Sequence, residues 1–72
     1  MITIEITLKN GATLHIKNAD SAYYSEEDGL YRIFNDLHDM EVSSDGDISC
    51  VEIEETFICV SIEEISIISF RS

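Results

Sequence analysis

The chain of 72 residues has no proline and no tryptophan, and its lysines and arginines together number only four. So few basic residues, set against 15 Asp and Glu, leave a formal net charge of −11. Self-repulsion at that charge disfavours direct binding to nucleic acid or to anionic lipid. No apolar run approaches the roughly 20 residues of a membrane-spanning helix. The N-terminal Met1-Ile2-Thr3-Ile4-Glu5 lacks a basic region, so no signal peptide is expected and the sequence reads as cytoplasmic. Two cysteines, Cys50 and Cys59, are too few for a disulfide framework and read as small buried hydrophobes. Glycine occurs three times and never in a phosphate-cradling loop.

What is present reads as a folded protein. Apolar residues make up 44% of the chain and twelve residues are Ile, a content that disordered acidic tails lack. The length permits a single acidic domain over residues 1–72, too small for a deep cleft between domains. Charge is placed unevenly. Residues 33–70 hold ten acids and no Lys or Arg, which predicts one side with an unbroken negative field.

Ile2, Ile4, Ile6 and Leu8 alternate with polar residues, and Ala12, Leu14 and Ile16 do the same beyond Asn10-Gly11. Both stretches read as half-buried strands of a hairpin. A two-residue Asn-Gly loop would mix core and solvent faces. A three-residue loop with Gly11 in a left-handed conformation instead pairs Ile6 with Leu14, Ile4 with Ile16, Glu5 with His15 and Thr3 with Lys17. Asn18 to Tyr24 reads as a connector. Ser25 resembles a helix N-cap, followed by three acids and by Leu30, Ile33, Phe34 and Leu37 at helical spacing, which predicts a helix at about 26–39. Ser43 to Asp47 reads as a turn, Ile48 to Glu54 as a strand, Phe57 to Ile62 as a central or partner-covered strand, Glu63-Glu64 as a short turn and Ile65 to Phe70 as a last strand. The expected fold class is α+β, order β-β-α-β-β-β: a small antiparallel sheet, open or partly rolled into a barrel, with one helix on one face.

The opening hairpin, the short helix and the terminal Ser61-Ile62-Glu63-Glu64-Ile65-Ser66-Ile67-Ile68 segment resemble a pattern common in small phage and mobile-element proteins. That resemblance implies a phage or prophage context, with the host cytoplasm as location. In size and acidity the chain is also similar to anti-CRISPR and anti-restriction inhibitors of phages.

No triad or nucleophile-elbow pattern joins the Ser, His and Asp residues, so no enzyme is expected. Asp45, Asp47 and Glu41 do not fit a calcium loop, the Cys and His residues lack zinc spacing, and no cofactor is expected. The acids themselves suggest a function. Clefts that bind DNA are lined with Lys and Arg and take much of their affinity from phosphate charge. Glu52 and Glu54, two apart on a strand, point the same way about 6.5–7 Å from each other, near the phosphate step of one strand. Asp36, Asp39, Asp45 and Asp47 extend the candidate track, so these six residues are the expected contacts to a basic partner, a nucleic-acid-binding enzyme. A plainer reading makes Glu52, Glu54, Glu55, Glu63 and Glu64 gatekeepers around the uncharged, proline-free segment Thr56 to Ile62. The alternative function is an acidic interaction or scaffold module, a homodimer in one version, that binds through this apolar strand and Tyr23, Tyr24 and Tyr31.

Overall fold

The computed structural model describes residues 2–35 and 40–72. It contains eight strands: β1 (Ile2–Leu8), β2 (Thr13–Ala19), β3 (Ser21–Ser25), β4 (Leu30–Phe34), β5 (Glu41–Asp45), β6 (Glu52–Ile53), β7 (Phe57–Ser61) and β8 (Ile65–Arg71). They form two antiparallel four-stranded sheets, ordered β5-β2-β1-β8 and β3-β4-β7-β6. A single 3-10 turn, Ile62–Glu64, joins β7 to β8. Among the described residues there is no α-helix, so the expected α+β class is replaced by a nearly all-β fold.

The first hairpin follows the predicted three-residue loop. Ile4 pairs with Ile16, Glu5 with His15, Ile6 with Leu14 and Thr7 with Thr13. Gly11 has φ +92° and its N–H donates to the Leu8 carbonyl at 3.0 Å. The pairing slips by one residue between Ile2 and Ile4, so the expected Thr3–Lys17 pair does not form. Asn18, with φ +65°, takes up the extra residue as a bulge.

The predicted helix fails at residues 26–34, and the reason is local. Its N-terminal signals serve a hairpin turn instead. The Ser25 Oγ donates to Asp28 Oδ2 at 3.1 Å, Arg32 holds the same carboxylate at 3.0 Å, and the Gly29 N–H donates to the Ser25 carbonyl at 2.8 Å. Gly29 has φ +66°, which ends any helical run and returns the chain. Tyr23, Tyr24, Tyr31 and Phe34 are aromatic and Ile33 is β-branched, residues that favour strands, and the two segments pair as β3 and β4. The predicted helix residues 36–39 lie outside the described residues.

Three other boundaries move. The connector 18–24 is mostly strand. The expected turn at 43–47 begins only at Gly46, because Val42 and Ser44 pair with Ile16 and Leu14 of β2. The expected strand 48–54 shrinks to β6, since residues 48–51 form a turn closed by the Val51 N–H on the Ile48 carbonyl at 2.9 Å.

One core joins the sheets: Ile4, Ile6, Leu8, Ala12, Leu14, Ile16 and Ala19 from the first, Ile33, Ile58 and Val60 from the second. Burial of each large aliphatic contributes about 1.5–3 kcal/mol. β7 lies between β4 and β6; Ile58 and Val60 on its inner face join the core. Cys59 on its outer face is buried and its thiol is pushed up by desolvation, whereas Cys50 is exposed, contrary to the expectation that both are buried; both are free thiols. No helix among the described residues is long and apolar enough to cross a membrane.

Candidate interaction surface

Six of the acids, Glu41, Asp45, Asp47, Glu52, Glu54 and Glu55, fall within residues 41–55, which contain no Lys, Arg or His. This segment runs from β5, an edge strand of the first sheet, to β6, an edge strand of the second. All six are exposed. Ile48 and Val51, in the loop between the two strands, pack against the core and hold the loop to the sandwich.

The candidate contacts are not equivalent. Asp36 and Asp39 lie outside the described residues. Asp45 ends β5 opposite Thr13, which places it on the solvent face of the first sheet. Glu52 lies opposite Cys59, and the Glu54 N–H donates to the Phe57 carbonyl at 2.8 Å, continuing the same register. Glu52 and Glu54 therefore share the solvent face of the second sheet, as their spacing predicts. Because Asp45 belongs to the other sheet, the carboxylates wrap around an edge of the sandwich and do not form one flat track.

Asp47 is engaged locally. Its Oδ1 accepts the Ser49 N–H at 2.9 Å, and its main-chain carbonyl accepts the Asn10 side-chain amide at 2.8 Å. The backbone and hydroxyl bonds from Ser49 hold the Asp47 carboxyl below its ordinary value of 3.8. A depressed carboxylate stabilises the fold above its unfolded value, and that contribution is lost as pH falls through the folded value. Asp47→Ala is accordingly expected to lower the thermal midpoint at neutral pH, with the gap to the parent chain closing at pH below 3.8.

The solvent face of the second sheet holds a feature that helical periodicity hid. Tyr23 stacks on Phe34 with centroids 6.0 Å apart and 9° between planes, and Phe34 meets Phe57 at 6.4 Å. Phe57 lies across from Glu54, so a row of three rings ends at the two carboxylates. Arg32 crosses the same face, its guanidinium on Asp28 and its Nε buried without a partner. Period-two reading of Leu30 to Phe34 would have put Arg32 and Phe34 on this face. Of the other two tyrosines, Tyr24 and Tyr31 pair across β3 and β4 with centroids 5.4 Å apart.

On the first sheet, Glu5 is shared. Arg71 of β8 donates to its carboxylate, and His15 Nδ1 of β2 lies 3.9 Å away. Among the described residues no three His, Cys, Asp or Glu side chains gather as a metal site. Comparison of the chain with protein-family models, with curated proteins and with solved structures finds no match in any of the three.

Proposed function

We propose that this protein is a non-enzymatic inhibitor that occupies the basic surface of a nucleic-acid-binding enzyme, in the manner of a phage-encoded anti-defence protein. The observation that carries the reading is the continuous segment 41–55: six exposed acids, no base, spanning edge strands of both sheets. An exposed acidic edge suits a basic surface built to grip a phosphate backbone. Asp45, Glu52 and Glu54 are the carboxylates placed to accept charge-assisted hydrogen bonds from Lys and Arg. Asp47 contributes field and loop geometry. Charge steering of this kind speeds association and makes it salt-dependent.

The test is affinity capture of the target followed by competition. The bound protein should be a basic nucleic-acid enzyme, DNA should displace the inhibitor, and rising salt should weaken the complex steeply. Replacing Glu52 and Glu54 together by Lys should weaken binding on the order of a hundredfold or more, since hydrogen bonds to charged groups are worth about 1.5–3 kcal/mol each. Both side chains are exposed, so the fold should persist by circular dichroism.

The row Tyr23–Phe34–Phe57 favours a second reading, an acidic interaction module that uses this aromatic face. Binding that survives high salt and ignores DNA, but is lost on Tyr23→Ala, would replace the first reading with this one.

A further inference from the structure

Apart from the acidic edge, exposed apolar side chains gather at β8. Ile67 is 63% exposed and Phe70 46%. Phe70 lies 6.2 Å from Tyr31, which contacts Tyr24, itself 48% exposed. β8 is a seven-residue edge strand, paired on one side only, by β1. Natural edges are normally short, charged, bulged or broken by proline. β5 carries Glu41 and Asp45, β6 is two residues long and carries Glu52, and β3 is five residues long between Asp20 and Glu26. β8 has no acid and no proline, and its one charge is Arg71. Its bulge, at Ser66 against Thr7 and Leu8, lies near the start of the strand, and the pairing from Ile67 to Arg71 is regular.

We propose that β8 pairs antiparallel with β8 of a second copy, across a two-fold axis at Ile67. This register puts Ile67 beside its own counterpart and Ser69 opposite Ile65. Beyond Ile65 the partner's strand gives way to its 3-10 turn, so Arg71 of each copy faces the turn of the other, where Glu63 stands. Glu63 is exposed, in the 3-10 turn just before β8. Two chains of charge −11 repel one another, so they can meet stably only where acids are missing or matched, and β8 meets both conditions. Arg71 already donates to Glu5 of its own chain, and a guanidinium with five donors can serve both carboxylates. The first sheets of two copies then join into one of eight strands, the isologous arrangement of a two-fold dimer. The acidic segment 41–55 includes β5, at the far edge of that sheet, so the inference stands independently of the proposed function.

Sedimentation of the full chain over a concentration series tests it. The parent chain should dimerise. Ile67→Lys should be monomeric with unchanged circular dichroism and thermal unfolding, because the side chain is exposed. Arg71→Glu should weaken the dimer at least tenfold, and adding Glu63→Arg should restore it. A parent chain that stays monomeric, an Ile67→Lys variant that still dimerises, or a charge swap that restores nothing would overturn the pairing. A monomer whose target binding is lost on Ile67→Lys would overturn it too, and would give the edge to a strand of the target instead.

Discussion

Gly46→Ala is expected to cost about 3 kcal/mol, a large share of the stability of so small a domain. Two effects add. Gly46 has φ +92°, where an L side chain is strained by about 1–2 kcal/mol. A Cβ there would also stand 2.9 Å from the Ala12 Cβ and 3.0 Å from the Ala12 Cα. The second neighbour is backbone, so the turn after β5 must lift away from the first hairpin, and overpacking of that kind costs about 1–3 kcal/mol. Gly11 is the internal control. Its φ is also +92°, but no atom lies within 4 Å of its would-be Cβ, so Gly11→Ala carries the strain alone and should cost about 1–2 kcal/mol. Urea unfolding of the two variants separates conformational strain from contact, and equal losses would refute the packing account. Ala12→Gly placed on Gly46→Ala should recover part of the difference but not all of it, since the Ala12 Cα remains. Asp45 and Asp47 flank this glycine, so the packing that fixes the turn also fixes where the acidic loop leaves the sheet.

The parts of this fold that were legible in sequence are those where one chemical constraint has one solution. The register of the first hairpin is such a case: only a three-residue loop keeps Ile4, Ile6, Leu14 and Ile16 on one face, and the pairing follows it. The apolar run Phe57 to Ile62 left two readings open, a central strand or one covered by a partner, and β7 takes an interior place between β4 and β6. Glu63-Glu64, polar between two apolar runs, marked the turn that joins β7 to β8. The helix was misread because Ser25, Glu26, Glu27 and Asp28 satisfy a helix start and a polar hairpin turn equally well. Leu30, Ile33 and Phe34 also suit either period over so short a span. Gly29 was the discriminating residue, a left-handed position at the point where a helix would need to continue. β5 could not be read at all from Glu41-Val42-Ser43-Ser44-Asp45. Its strand character comes from pairing with β2, a tertiary effect that local propensity does not contain. Among the candidate contacts, the shared face of Glu52 and Glu54 follows from alternation. The separation of Asp45 onto the other sheet depends on topology, and the engagement of Asp47 depends on a loop contact with Asn10.

A helix over 26–39 with Leu30, Ile33, Phe34 and Leu37 inward would turn Asn35 toward solvent, yet Asn35 is the one fully buried polar residue among those described. Its side-chain amide donates to the Asn18 carbonyl in the β2 bulge, and its N–H donates to the Thr56 carbonyl at 2.9 Å. It therefore ties the first sheet's irregularity to the end of the second sheet. Asn35→Leu should cost about 2–4 kcal/mol in urea unfolding, from the lost donor to a buried carbonyl and from the poor fit of the branched chain. Asn35→Asp makes a sharper test. A carboxyl in that place is desolvated and faces a carbonyl, so its pKa should be raised above the ordinary value of about 3.9. An acid with a raised folded pKa is least costly where it is protonated, and the cost grows as pH rises from the unfolded value to the folded one. In the protonated form its hydroxyl can donate to the Asn18 carbonyl in place of the amide. Relative to the parent chain at each pH, Asn35→Asp should be nearly neutral at about pH 3 and severely destabilised at about pH 7. A stability difference that does not change with pH would mean that residue 35 reaches water. The tie between the bulge and the second sheet would then not be the reason this position holds an amide.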